Sequence, residues 1–265
     1  CCSGEKGSSI CGVSISRQYR NWECKECAAD DKITTYVKIR KDGEMMNTKI
    51  KAVIFDLDGT LIDTEKYYRT CWPLALEKFG YHITDEQVLS LRSLGRPYAP
   101  ERLKEMMNDP KLDYTAIRNY RKELVEKCME ENGIELKKGA KEILTWLKEH
   151  QIKRAIATAN DEERAERYLK KIGLYDYFDE IICATMVSCG KPAPDTYTYA
   201  CSTLGLAPEA CMAVEDSPNG VESAYRAGCQ VVMVPDQTKP DAALRKKLTA
   251  CVDSLEDIEL LLTEG

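Results

Sequence analysis

From Lys51 onward, short apolar runs alternate with longer stretches whose apolar positions recur at helical spacing. The runs lie at 52–55, 154–157, 181–184, 211–214 and 230–234. Their length and β-branched content predict buried parallel strands. The stretches between them predict helices over 138–149, 161–171, 195–204 and 218–227. Gly173, Gly205 and Gly228 stand where helix C-caps are expected, because glycine enters the left-handed region at no steric cost. Strands separated by helices imply crossover connections and hence an α/β, doubly wound, Rossmann-like parallel sheet.

One interval breaks this rhythm. Between the first and second runs lie about a hundred residues with no good strand. They predict helices over 64–79, 85–94, 100–108 and 114–131. Thr84 followed by Gln87 has the spacing of a capping box, and Gly80, Gly95 and Gly133 are plausible stops. Pro73 predicts a kink or a late start in the first of these helices. A helical insertion of this size between two core strands reads as an α-helical cap domain. The expected division is a core of 46–64 and 137–265, a cap of 65–136, and linkers near 62–66 and 134–138.

Residues 1–45 mix Cys, Ser, Gly and alternating charge without periodicity. They are expected to be a non-native or disordered extension, with Met45 or Met46 as the natural start. The alternative is a metal knuckle built on Cys24-Lys25-Glu26-Cys27 with Cys11 and Cys1 or Cys2. A single CxxC without a second well-spaced pair is a weak zinc signal.

The 265 residues suffice for one large domain or two smaller ones, and 43% hydrophobic with 31% charged residues is ordinary for a globular protein. A net charge of −6 offers no overall basic field for nucleic acid, so an anionic substrate would need a cation and local lysines. No apolar stretch approaches the roughly 18 residues of a membrane span, and no signal peptide pattern is present. Of 13 cysteines, the eight from Cys71 to Cys251 are scattered through predicted helices and strands. That reads as small buried hydrophobes in a reducing, cytoplasmic setting.

The chemistry-bearing residues follow the predicted strands. In an open parallel sheet, ligands gather at the carboxyl ends of strands near a topological switch point. The first strand runs into Asp56-Leu57-Asp58-Gly59-Thr60, and the second into Thr158-Ala159-Asn160. The third is followed by Gly190-Lys191-Pro192-Ala193-Pro194-Asp195, and the fourth by Glu215-Asp216-Ser217-Pro218-Asn219-Gly220. Carboxylates, a hydroxyl and an ammonium would thus converge on one edge. Singly, Asp58-Gly59 could be a turn, Lys191 a solvated loop lysine and Glu215-Asp216 a helix N-cap pair. All four pieces in this order point to a site.

This set resembles the haloacid dehalogenase superfamily, in the branch that contains β-phosphoglucomutase and many small-molecule phosphatases. The resemblance covers residues 50 to about 260 and includes all four family motifs in order. It implies an enzyme in which Asp56 is the nucleophile, forming an aspartyl-phosphate, and Asp58 the general acid and base. It implies Mg²⁺ as cofactor, held by Asp56, the backbone carbonyl of Asp58 and Asp216, with Glu215 in support. Thr158 and the neighbouring backbone N–H groups, Ala159 included, would hold phosphate oxygens, and Lys191 would neutralise charge. In the family, an Asp two residues after the nucleophile marks phosphoryl transfer rather than chloride displacement.

The expected function is Mg²⁺-dependent hydrolysis of small phosphorylated metabolites, sugar phosphates foremost. The alternative is a β-phosphoglucomutase-type mutase, in which a sugar hydroxyl replaces water as acceptor. Similar mutases carry a histidine where this chain has Tyr68, and a Lys-Asn pair where it has the acidic run Asn160-Asp161-Glu162-Glu163. A non-catalytic binding module is a further alternative, disfavoured because Asp56, Asp58, Lys191 and Asp216 are all present. Asp63, Thr64 and Glu65 read as capping and hinging the first cap helix rather than facing substrate. Arg92 and Arg96 read as exposed helix-end arginines rather than ligands of a second anionic group. His82 and His150 are given no role. The individual substrate and the oligomeric state are not legible.

Overall fold

The computed structural model describes residues 36–37 and 49–263. The Cys-rich segment considered for a metal knuckle lies outside these residues. Of the expected extension, Tyr36–Val37 forms β1, a two-residue strand added antiparallel to the sheet edge. The sheet continues with β2 (Ala52–Phe55), β3 (Lys153–Thr158), β4 (Glu180–Cys183), β5 (Cys211–Glu215), β6 (Gln230–Met233) and β7 (Ala250–Cys251). Its order is β1-β7-β6-β5-β2-β3-β4, and β2 to β7 are parallel. The expected α/β, doubly wound architecture is therefore the observed one.

Period-two geometry sends the side chains of β2 to two different cores. Val53 and Phe55 pack with Ile156, Val214, Leu144 and Leu169 on one face. Ala52 and Ile54 pack with Ala155, Ala213, Tyr197 and Val221 on the other. The helices that cover the faces are α5 (Ala140–Glu149) and α6 (Glu162–Lys171) on the first, α7 (Asp195–Thr203) and α8 (Pro218–Ala227) on the second. With both faces covered, β2 is fully buried, which is why its sequence is an unbroken apolar run.

Strand order reverses at β2, with β3 on one side and β5 on the other. The carboxyl ends of these three strands thus meet at a switch point.

The long helical interval contains α1 (Glu65–Lys78), α2 (Asp85–Ser90), α3 (Tyr98–Met107) and α4 (Tyr114–Asn132). These pack around a core of their own, with Trp72, Leu76, Val88, Leu91, Leu103 and Ile117. The Thr84–Gln87 capping box is formed. Helix α1 starts without delay and continues through Pro73, with Trp72, Ala75 and Leu76 buried around it. α2 is shorter than its pattern predicted: it ends at Ser90, and Ser93 takes a positive φ of 53° that no helix continues through.

Gly95 is not the stop for that helix. Its N–H donates to the Lys191 carbonyl at 2.8 Å, and the Gly190 N–H returns a bond to the Arg96 carbonyl at 2.8 Å. A Cβ on Gly95 would stand 2.6 Å from the Gly190 Cα, so two glycines permit this backbone contact. The two linkers also pair: the Asp63 N–H donates to Glu135 and the Lys137 N–H to Leu61, both at 2.9 Å. The linkers and this loop-to-loop contact thus help to hold a helical block over the switch point.

The eight cysteines of the described residues are all free, and six are buried. No helix among the described residues is long and apolar enough to cross a membrane.

Candidate active site

Asp56 directly follows β2 and extends its ladder, donating its N–H to the Val214 carbonyl at 3.0 Å. Its side chain is buried; Oδ1 accepts from Lys191 Nζ at 2.5 Å, and Oδ2 is buried with no partner among the described residues. Gly59 then turns the chain with φ +84°, and a Cβ there would meet Asp216 Oδ2 at 2.2 Å. The turn needs glycine both for its backbone angle and for its closeness to β5's end.

Lys191 is not a solvated loop lysine. It is 1% exposed and bridges Asp56 and Glu215 at 2.5 Å each. Glu215 also accepts from the Tyr197 hydroxyl at 2.7 Å. A Cβ on Gly220 would lie 2.0 Å from the Glu215 carboxyl, so the start of α8 must be glycine to accommodate it. Nor are Glu215 and Asp216 an N-cap pair: Ser217 caps α8, accepting from the Gly220 N–H at 3.1 Å. Carboxylate oxygens of Asp56, Glu215 and Asp216 all lie within 4.8 Å of one another.

Asp58 stands apart from that group. Its Oδ1 accepts from the Thr64 hydroxyl at 2.5 Å, and its Oδ2 from Asn160 Nδ2 at 2.6 Å. Thr158, buried at the end of β3, accepts the Asn160 N–H at 3.1 Å, and Ala159 is only half-buried beside it. The four predicted pieces are therefore brought together at one edge of the sheet.

Three expectations need correction. Thr64 is the N-cap residue of α1 but makes no side-chain cap bond; it holds Asp58 instead. Glu65 is buried and faces Arg92, with Nε at 3.3 Å from its Oε2. Arg92 is not an exposed helix-end residue: it is 5% exposed and paired with Asp216 as well as Glu65. Burial of this cation follows from the carboxylates already there, a contact across 124 positions that no local pattern announces. Arg96 is exposed as expected, Asp63 pairs with Lys66 at 2.8 Å, and His150 stacks on Trp146. Asn160 and Tyr197 were missed as site residues. The position of Asn160 two residues beyond Thr158 was the available signal, and Tyr197 had none beyond the buried face of α7.

Burial dominates the electrostatics. It pushes the Asp56 carboxyl well above its usual range, against the opposing pull of Lys191, and raises Asp58 and Asp216 as well. Burial likewise lifts Glu65 from 4.5 to about 7. Burial also works against the Lys191 ammonium, but Asp56 and Glu215 outweigh it and hold its pKa above the usual lysine range. Four buried carboxylates (Asp56, Glu65, Glu215 and Asp216) thus pair with two buried cations, Lys191 and Arg92, while the buried Asp58 is held by the neutral Thr64 and Asn160.

The raised carboxyl pKa values have a consequence for stability. Above the ordinary carboxylate range the folded state binds more protons than the unfolded one, so stability falls as pH rises through the folded values. For Glu65 this window runs from 4.5 to about 7. The melting temperature of metal-free protein is expected to fall between about pH 5 and about pH 8. A metal-free melting temperature that climbs across this window would contradict the raised values.

The family profile for haloacid dehalogenase-like hydrolases matches residues 53–234, which contain every residue of this site. The chain belongs to that family. Among relatives of this hydrolase, the phosphorylated carbohydrates phosphatase of Thermotoga maritima is 33% identical over 183 residues, 68% of this chain and 83% of the relative. Hexitol phosphatase A of Escherichia coli is 32% identical over 210 residues, 79% of this chain and 94% of the relative. Among solved structures, the β-phosphoglucomutase of Clostridium difficile superposes with a TM-score of 0.69 at 25% identity, covering 81% of this chain and 98% of that one. Hydrolase family and phosphatase relatives together make the chain a phosphatase-type enzyme.

Proposed function

We propose that this hydrolase releases phosphate from small phosphorylated metabolites, sugar phosphates foremost, through an aspartyl-phosphate on Asp56. The observation that carries the reading is the state of Asp56: one oxygen held by Lys191, the other buried and without a partner. A buried carboxylate oxygen without a donor is costly, and is maintained where a ligand completes it. Attack by Asp56 forms the O–P bond and breaks the bond from phosphorus to the leaving oxygen, which takes its proton from Asp58. Water then attacks phosphorus, gives its proton to Asp58 and frees Asp56. Burial supports the first step by favouring a protonated Asp58; Thr64 and Asn160 oppose it and hold the carboxyl in place. Thr158 and the adjoining N–H groups, with Lys191, are assigned to the phosphate oxygens.

The donor set fits a hard divalent cation. Three buried carboxylates converge, cations are outnumbered, and one oxygen of Asp56 is unpartnered. Asp56, Asp216 and the Asp58 carbonyl would hold Mg²⁺, with Glu215, already engaged by Lys191 and Tyr197, in support. When bound, Mg²⁺ would offset the repulsion between the nucleophile and the phosphate dianion.

Helices α1–α4 are read as a cap domain of 65–136 over a core of 46–64 and 137–265, and the cap decides what may act as acceptor. Where similar mutases carry histidine this chain has Tyr68, whose hydroxyl accepts a hydrogen bond from Arg164 at 3.1 Å; the missing histidine favours water as acceptor over a sugar hydroxyl. A panel of sugar phosphates assayed with Mg²⁺ is expected to yield free phosphate. Conversion of β-glucose 1-phosphate to its 6-phosphate in the presence of the bisphosphate, without phosphate release, would overturn the hydrolase in favour of the mutase.

A further inference from the structure

Among the described residues, thiols meet in pairs at two places outside the site. Cys201 and Cys229 are 3.7 Å apart, both buried against the second face of the sheet. Cys71 on α1 and Cys128 on α4 are 3.8 Å apart, with Cys71 fully buried and Cys128 only half-buried. All four are free. The pair on α1 and α4 differs in the respect that matters to chemistry: an oxidant in solution can reach one of its sulfurs. Burial, with Cys128 beside it, pushes the Cys71 thiol up to about 12. Cys71 is therefore a poor first nucleophile near neutral pH, and the reachable Cys128 takes that part.

The pair stands beside the linkers, on the helices that leave the sheet and return to it. The Tyr67 hydroxyl donates to the Gly133 carbonyl at 3.1 Å, where α4 ends, and the thiols meet about one turn further along both helices. Thr64, Tyr68 and Cys71 follow one another at i, i+4 and i+7, on one face of α1. The first donates to Asp58 at 2.5 Å, and the second accepts from Arg164 on α6 at 3.1 Å. Cys71 also belongs to the buried cluster that contains Leu57, Leu61 and Ile62, the residues around the turn that carries Asp58. A disulfide holds its sulfurs about 2.05 Å apart, so closing this one draws them together by about 1.8 Å. A close-packed interior passes on a movement of that size. Along α1 it reaches Thr64, and through the Thr64 hydroxyl the carboxyl of Asp58.

We propose that Cys71 and Cys128 are a redox-modification site: a low-molecular-weight disulfide oxidises them to an interhelical disulfide, which slows turnover by displacing Asp58. The Cys128 thiolate attacks one sulfur of the oxidant, forming a mixed disulfide and releasing one thiol, which carries away the Cys128 proton. Cys71 then attacks the Cys128 sulfur. The bond between the two helices forms, and the second thiol leaves with the Cys71 proton. Two protein thiols are oxidised, and one oxidant disulfide is reduced to two thiols. A reducing dithiol reverses the exchange. The slowed turnover rests on the phosphatase reading; the disulfide itself does not.

The test incubates reduced protein with oxidised glutathione, blocks the remaining thiols by alkylation and maps the cross-link by peptide mass spectrometry. The Cys71–Cys128 bond is expected to form before the Cys201–Cys229 bond. Phosphate release from an aryl phosphate with Mg²⁺ should then fall by about tenfold, chiefly in kcat, and return on adding dithiothreitol. Folded Cys128→Ser should keep the rate of reduced wild type and lose the response to oxidant. Amides of α1 and of the last turns of α4 should exchange more slowly once the bond is closed, in wild type and not in Cys128→Ser. Cys71 and Cys128 that stay thiols, a closed bond with an unchanged rate, or an equal loss of rate in oxidised Cys128→Ser overturns the proposal. Should reduced wild type release no phosphate from the aryl phosphate or from the sugar phosphate panel, the phosphatase reading fails instead. Mapping and hydrogen exchange then decide the site by themselves: a closed bond with slower exchange in α1 supports it, and no bond or unaltered exchange refutes it.

Discussion

Asp56→Asn is expected to cut phosphate release from a generic aryl phosphate by at least about a thousandfold while leaving the fold intact. The amide has nearly the volume of the carboxylate, so the packing at the end of β2 is preserved. The backbone bond from Asp56 to Val214 is unaffected, and Lys191 retains Glu215 at 2.5 Å. Only the nucleophile's charge and electron pair are lost. Burial first, and then the charges of Glu215 and Asp58, raise the Asp56 pKa against the pull of Lys191, so its ionised form is unfavourable in the metal-free protein. Metal-free Asp56→Asn should therefore melt no lower than wild type at mildly alkaline pH. Circular dichroism and melting curves check the fold, and Mg²⁺ calorimetry should show weakened binding. Undiminished turnover in the folded variant would sink the aspartyl-phosphate mechanism.

The second large effect belongs to Lys191→Met, and it should appear in both activity and stability. Methionine can fill much of the buried channel but cannot hold two carboxylates together. Removing one partner of a buried ionic group typically destabilises by about 3–5 kcal/mol, because the remaining charge is uncompensated. Here two carboxylates, Asp56 and Glu215, lose their common partner. Activity should fall on the order of a hundredfold or more, the scale of losing one preorganised electrostatic group. The stability loss should shrink at mildly acidic pH, where the orphaned Asp56 carboxyl, already raised by burial, takes up a proton, and grow as pH rises. A variant as stable and active as wild type would show Lys191 to be a solvated lysine, contrary to its 1% exposure.

These two positions were legible from sequence because each lies in a contiguous motif directly after a strand. Thr64 and Arg92 show the opposite case. Thr64 has the residue type and position of an N-cap, and local reasoning assigns it that task. Its hydroxyl goes to Asp58, because a buried carboxylate is a stronger acceptor than the alternatives and lies within 2.5 Å. Arg92 follows a helical pattern that would carry it to a solvated helix end. The actual end of α2 at Ser90 and the positive φ at Ser93 place it over Asp216 instead. Gly95 offers the same lesson for the backbone: a glycine that local pattern reads as a stop is a contact with Gly190.

What the sequence by itself determined was whatever short-range physics encodes. Apolar runs, helical periodicity and glycine placement specified the parallel sheet and its helices, and four motifs specified which strand ends carry chemistry. Tertiary structure decided how these pieces meet across the two layers. It set Lys191 between Asp56 and Glu215, gave Asp58 to Thr64 and Asn160, and drew Arg92 inward. Such pairings join residues up to 135 positions apart. They are settled by where burial makes an unpaired charge intolerable, and burial is a property of the packed molecule rather than of any stretch of its chain.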